Sequence, residues 1–167
     1  MVDCGGTWWS VSHNELLMEK GGGRMFIGEF QHTLDEKGRI FMPAKFREEL
    51  SGGMIATIGI DKCIFVYTKE EFSRFRAKLD AASITNKEAR KFSRFFYGFA
   101  SECECDKQGR IMLTPELRKY AGIEKDATVV GVSTRIEIWN AAKWNEDNNL
   151  DDFDMEELAL NMEQYGL

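Results

Sequence analysis

The sequence is poor in the residues that catalysis recruits most often. It has two histidines, His13 and His32. It has no Gly-x-Ser-x-Gly elbow, Walker loop, Gly-x-Gly-x-x-Gly fingerprint or His-Glu-x-x-His helix. A nucleophile–base pair, a phosphate cradle, a dinucleotide site and a zincin centre all lack their residues, so the expectation is a non-enzyme with no cofactor. His32 falls in a strand-like run, where a lone histidine reads as structural. The four cysteines, Cys4, Cys63, Cys103 and Cys105, include no Cys-x-x-Cys pair, which argues against a zinc knuckle or a thioredoxin-type site; no metal is expected. Reduced, buried thiols are the simplest reading, with Cys103 and Cys105 on one face of a strand. No run approaches the roughly 18 apolar residues that span a bilayer, and no charged start followed by an apolar core marks an export signal. A cytoplasmic address is expected, with no membrane partner and no small-molecule substrate.

Positive charge is also in short supply. The chain holds 22 Lys and Arg against 28 Asp and Glu, a net of −6, an unpromising balance for a nucleic-acid partner. Its distribution changes the reading. Residues 145–167 carry eight acids and no base, whereas residues 25–144 carry 20 bases and 17 acids, a net of +3. The body is mildly basic and the tail strongly acidic. The tail is either a solvated surface or a competitor with DNA for the basic face. At the other end, Met1–Arg24 shows no period and carries Gly5-Gly6, Trp8-Trp9 and Gly21-Gly22-Gly23. Such Gly-rich sequence behaves as flexible coil, so this segment is read as a disordered or non-native extension outside the fold.

What is present is a repeat. Residues 35–47 read Asp-Glu-Lys-Gly-Arg-Ile-Phe-Met-Pro-Ala-Lys-Phe-Arg, and residues 106–118 read Asp-Lys-Gln-Gly-Arg-Ile-Met-Leu-Thr-Pro-Glu-Leu-Arg. At a constant offset of 71, Asp35, Gly38, Arg39, Ile40 and Arg47 coincide with Asp106, Gly109, Arg110, Ile111 and Arg118. The likeness continues into Ile55–Tyr67 and Thr128–Trp139, two pairs of apolar strand-like runs. Two copies of one unit explain the chain better than one irregular domain.

Each copy has a readable local structure. Gly28–Leu34 and Ala100–Cys105 are strands leading into the motif. Asp-x-x-Gly is a tight turn, in which Asp hydrogen-bonds ahead and Gly accepts a positive φ. Ile40–Met42 and Ile111–Leu113 are the returning strands. Pro43 and Pro115 suit a first helical position and open short helices over Ala44–Leu50 and Glu116–Ala121, with Thr114 able to cap the second. Between the copies, Lys69–Ala82 and Thr85–Phe99 read as helices. The latter opens on a capping box, Thr85-x-x-Glu88, and carries Phe92, Phe95, Phe96 and Phe99 at i, i+3, i+4 and i+7. Its other face holds Lys87, Arg90, Lys91 and Arg94, either a solvated basic face or one turned to a partner subunit or phosphate. The fold class is α+β and β-rich, two tandem repeats with short helices. The expected division is 1–24 extension, 25–82 first unit and following helix, 83–99 connecting helix, 100–144 second unit and 145–167 acidic helical tail.

The repeated Gly-Arg sets a long cation beside a tight turn, with a second arginine eight residues on. A guanidinium binds phosphate bidentately or reads guanine O6 and N7 in the major groove, which admits a two-stranded ribbon. Lys37 and Lys107 flank the turns and add candidate phosphate contacts. Asp35 and Arg39, and likewise Asp106 and Arg110, are also spaced to pair with each other. That pairing would hold the turn's shape and is compatible with DNA contact, because arginine has five donors.

Taken together, Met25–Phe30, His32–Arg39, Pro43–Arg47, Arg94-Phe95-Phe96, Glu102-Cys103-Glu104, Asp106–Arg110, Gly131-Val132-Ser133 and Arg135–Trp139 resemble the MraZ family. The resemblance implies a swapped-hairpin fold of the AbrB/SpoVT group, a double-split barrel with two units in one chain. It implies a ring-like homo-oligomer on double-stranded DNA, binding repeated promoter boxes before the division and cell-wall gene cluster, usually as a repressor, and hence a nucleoid-associated place in the cell. The family's Asp-x-x-x-Arg signature falls on Asp35 and Arg39 and on Asp106 and Arg110, making Arg39 and Arg110 DNA contacts. Arg47 and Arg118 match basic positions of the wider AbrB group. The chain departs from the family pattern in its extension and in Thr114, which stands where Pro43 stands in the first copy. A scaffold or antitoxin-like protein-interaction module is the competing function.

Overall fold

The computed structural model describes residues 25–82 and 85–162. The extension Met1–Arg24, the start of the connecting segment at Ser83 and Ile84, and the last five residues of the tail lie outside the described residues. In chain order the elements are β1 (Phe26–Thr33), β2 (Arg39–Phe41), α1 (Ala44–Arg47), β3 (Met54–Ile58), β4 (Ile64–Thr68), α2 (Lys69–Asp80), α3 (Lys87–Gly98), β5 (Ser101–Cys103), β6 (Arg110–Met112), α4 (Pro115–Ala121), β7 (Asp126–Ser133), β8 (Arg135–Asn140), α5 (Ala141–Asp147), a single 3₁₀ turn (Leu150–Asp152) and α6 (Met155–Met162).

The fold is α+β and mainly antiparallel, as the sequence suggests. Six strands form a sheet in the order β1-β7-β8-β4-β3-β5, and β2 pairs with β6 in a separate two-stranded ribbon. The copies exchange strands. β1 of the first copy pairs along its whole length with β7 of the second, from Phe26↔Ser133 to Thr33↔Asp126. β5 of the second copy pairs with β3 of the first. This is the swapped-hairpin arrangement, with the six-stranded sheet left open at β1 and β5.

Both faces of the sheet are covered, which is why its central strands read as nearly continuous apolar runs. Along β4, Ile64 and Val66 enter one core while Phe65 and Tyr67 enter the other. The larger core takes Ile40, Met42, Phe46 and Leu50 from the first copy and Ile111, Leu113, Leu117 and Ala121 from the second. Each large side chain contributes roughly 1.5–3 kcal/mol by its burial, and the two copies supply it jointly. The smaller core, Cys63, Phe65, Tyr67, Phe72, Phe96 and Trp139, lies beneath α2 and α3. There Thr57 Oγ1 donates to the Phe96 carbonyl at 2.5 Å, tying α3 to β3.

Several boundaries differ from the sequence reading. α1 covers only Ala44–Arg47, and Pro43 is its N-cap, not its first helical residue, with no side-chain cap. Proline brings no acceptor to a helix start. In α4, Thr114 Oγ1 accepts from Leu117 N at 3.3 Å, Pro115 holds the first helical position and Gly122 closes the helix at φ +64°. That helix runs seven residues against four. The cap of α3 is Asn86, whose Oδ1 accepts from Glu88 N at 2.9 Å and Ala89 N at 3.1 Å. The expected box at Thr85 gives way because asparagine one residue later caps more strongly than threonine.

Candidate nucleic-acid interface

The two Asp-x-x-Gly-Arg turns have the same internal geometry. In the first, the Asp35 carbonyl accepts from Gly38 N at 2.9 Å and Asp35 N donates to the Arg39 carbonyl at 2.9 Å. Asp35 Oδ1 accepts from Lys37 N at 3.0 Å and Arg39 N at 2.9 Å, while Oδ2 accepts from Arg39 Nε at 2.7 Å. In the second, Asp106 Oδ1 accepts from Gln108 N and Arg110 N, both at 2.9 Å, and Oδ2 from Arg110 Nε at 2.8 Å. Gly38 and Gly109 sit at φ +77° and +79°, where a side chain is strained. One carboxylate therefore satisfies two turn amides and also aims an arginine.

These contacts leave a mark on the acids. The Arg39 side chain, then backbone amides, hold the Asp35 carboxyl down at about 2, and the Arg110 amide and side chain do the same to Asp106. Both carboxylates stay charged at neutral pH. The aspartates thus take the pairing role left open by the sequence. Each guanidinium still has donors to spare, and both remain part-exposed, at 28% for Arg39 and 18% for Arg110.

The turns are joined to each other. β2 and β6 run antiparallel with Ile40 opposite Ile111, Arg39 opposite Met112 and Phe41 opposite Arg110. Ile40 and Ile111 point into the core. By alternation, Arg39, Phe41, Arg110 and Met112 share the outer face of the ribbon. Leu113 N donates to the Gly38 carbonyl at 3.0 Å, and Met42 N to the Gly109 carbonyl at 2.9 Å. Each turn is thus stitched to the strand end of the other copy. Phe41 and Met112 remain 41% and 49% exposed, and the Arg110 guanidinium lies 5.8 Å from the Phe41 ring centre. The sequence reading overlooked these two apolar residues. The signal was there: an apolar residue two positions after each motif arginine shares its face.

The other candidates separate. Lys37 and Lys107 are exposed at the turn tips, but at different places in the repeat: Lys37 aligns with Gln108, and Lys107 with Glu36. Arg47 and Arg118 are half-buried and reach across the copies. The Arg47 guanidinium packs directly on Gly109, where any Cβ would collide with it, and Arg47 Nε donates to the Met42 carbonyl at 2.8 Å. Arg118 lies reciprocally on Gly38, its Cζ 2.7 Å from where a Cβ would stand, with Nε buried and unpartnered among the described residues. His32, on β1, has its pKa lowered by burial and then by the Arg47 charge, so it stays neutral in the wall beside this clamp.

The sequence matches a known family and several named relatives. The family model described as "MraZ protein, putative antitoxin-like" matches residues 25–95 and again 96–157. A protein of Thermoanaerobacter sp. (strain X514) named "Transcriptional regulator MraZ" is 48% identical over 143 residues, covering 86% of this chain and 100% of the relative. The protein of the same name from Alkaliphilus oremlandii (strain OhILAs) is 47% identical over 143 residues, again 86% of this chain and 100% of the relative. That from Desulforamulus reducens is 49% identical over 138 residues, 83% of this chain and 97% of the relative. Matched twice in tandem by the family model and nearly half identical to full-length members, this chain belongs to the MraZ family.

Proposed function

We propose that this chain is a sequence-specific, DNA-binding transcriptional regulator, acting as a repressor on repeated promoter boxes before the division and cell-wall gene cluster. The observation that carries the reading is the β2–β6 ribbon. Its outer face pairs two arginines, each aimed by its own aspartate, with two exposed apolar side chains. A two-stranded ribbon fits the major groove, an aimed guanidinium reads guanine bidentately, and an apolar side chain packs on a thymine methyl. Arg39 and Arg110 are the base-reading residues. Lys37 and Lys107 contact phosphate, and Arg47 and Arg118 support the opposite turns while adding positive potential. The names of the relatives as transcriptional regulators support the same reading.

One chain is a weak ligand for a duplex. Its body carries a net of only +3, against one phosphate charge per roughly 1.7 Å of DNA axis. The functional form is therefore a ring-like homo-oligomer that sets many ribbons along repeated boxes, where linked sites raise apparent affinity by about 10²-fold or more. Residues 25–82 and 100–144 supply the two interlocked units, 83–99 connects them and 145–167 forms the acidic tail. The working place is the cytoplasm, on the nucleoid. A gel shift on the protein's own upstream region across a salt series tests the proposal. Specific retention that weakens steeply with salt is expected. No retention at low salt would turn the reading towards a protein-interaction module.

A further inference from the structure

The ribbon leaves a second surface unused. On the α2–α3 side of the sheet lies a groove of about 760 Å³. Phe65, Tyr67 and Phe75 line its depth, and Ile60, Phe92 and Phe95 open its mouth at 74%, 40% and 49% exposure. A contiguous apolar patch of this kind marks an interaction surface.

A second unpartnered surface among the described residues is α6. Met155, Leu158, Ala159 and Met162 recur at i, i+3, i+4 and i+7, an apolar stripe, with Leu160 alone on the opposite face. Met155 and Leu158 are nevertheless 65% and 43% exposed, and Leu150 and Phe153 on the approach are 85% and 47% exposed. A helix of eight residues is too short to persist in water without packing, so its stripe requires a receiving surface. None of its residues lines the groove of its own chain.

Charge matches the two surfaces. Residues 69–98, which contain α2 and α3, carry eight Lys and Arg against four Asp and Glu. Residues 145–162 carry seven acids and no base. On the groove rim Arg74 is held by Glu70 and Glu71, and Arg135 by Glu137, while Lys78 and Lys91 make no ion pair among the described residues. Glu88 is the remaining rim acid.

We propose that α6 of one subunit seats its Met155–Leu158–Met162 stripe in the Phe92/Phe95 groove of the neighbouring subunit, with Glu156, on the flank of the stripe, turned to Lys78 and Lys91. Each subunit offers one groove and one α6, so the contact is heterologous and closes a ring when the rotation permits. The inference rests on the ring-like assembly proposed above and specifies the contact that builds it.

The test uses the full-length chain. Leu158→Asp and Phe95→Asp each change a position that is exposed in the single chain, so both variants should keep the wild-type circular dichroism spectrum. Light scattering after size exclusion should show wild type assembled and each variant dissociating at concentrations at least tenfold higher. Lys78→Glu/Lys91→Glu should weaken assembly, and adding Glu156→Lys should restore part of it. A photo-crosslinker at position 158, in a mixture of isotopically heavy and light chains, should join heavy to light with the crosslink on α2 or α3. Crosslinks confined to one chain or landing on another surface would overturn the proposal, as would variants that assemble like wild type, and both would leave the ring reading standing. A wild-type monomer at every concentration would overturn both.

Discussion

The two turns are nearly identical inside and unlike outside. Within each, one aspartate makes the same contacts to within about a tenth of an ångström. Around them the copies diverge. Arg39 is the more open and bonds its own aspartate. Arg110 is more enclosed, lies 3.7 Å from Asp35 as well as 2.7 Å from Asp106, and faces the Phe41 ring. The first tip is Glu36-Lys37, the second Lys107-Gln108. Arg47 is anchored on the Met42 carbonyl as it covers the second turn, whereas the Nε of Arg118 over the first has no partner among the described residues. A duplicated local motif thus fixes the arginine's aim, and the neighbours fix how far it is free to leave for a ligand.

The largest effects fall on DNA affinity. Arg39→Ala and Arg110→Ala should each weaken specific binding by roughly tenfold to a hundredfold, the worth of a bidentate base contact of about 1–3 kcal/mol. Their stabilities should differ: Arg110→Ala removes contacts to two acids and a ring and should melt at a lower temperature than Arg39→Ala. Equal melting temperatures would erase the asymmetry between the turns.

Next come the glycines. Gly38→Ala and Gly109→Ala each force a side chain into the left-handed region, a cost of about 1–2 kcal/mol in urea unfolding. The loss should be greater at Gly109, because Arg47 can make room only by leaving the Met42 carbonyl. A smaller loss there would show that the Arg47 clamp carries no stability. Thr114→Ala should then cost about 1 kcal/mol through loss of the α4 cap. α1 has no side-chain cap to lose, so the first copy has no equivalent variant.

The smallest effect concerns acid. The Asp35 and Asp106 carboxyls titrate at about 2, below the ordinary 3.8. Their pairing is therefore complete above about pH 4 and lost as pH falls through about 2. Between pH 4 and 2 wild type should lose slightly more melting temperature than Asp35→Asn/Asp106→Asn, whose turns have no carboxylate to protonate. Parallel curves would remove the aspartates from the stability of the turns.

Much of this was legible in the sequence because it is local. The Asp-x-x-Gly turns and the phenylalanine period of α3 lie within a few residues of their causes, and the repeat shows when the sequence is laid against itself. The pairing of β1 with β7 did not show, since Phe26 and Ser133 are joined only through the folded chain; the exchange was implied by the family resemblance alone. The clamps were missed for the same reason. Arg47 and Arg118 look like surface cations at the ends of short helices, and only strand exchange brings each beneath the opposite glycine. At α3 two cap candidates stood side by side, Thr85 and Asn86, and the box pattern drew attention to the weaker.

The central claim is that the paired arginines of the β2–β6 ribbon make the specific DNA contacts. Binding isotherms for Arg39→Ala/Arg110→Ala against wild type, on the chain's own upstream region and over a salt series, test it most directly. The expected result is a variant that melts within a few degrees of wild type and assembles like it, loses specific binding, and shows a shallower dependence of affinity on salt. A folded, assembled double variant that binds the same DNA with wild-type affinity and salt dependence would contradict it.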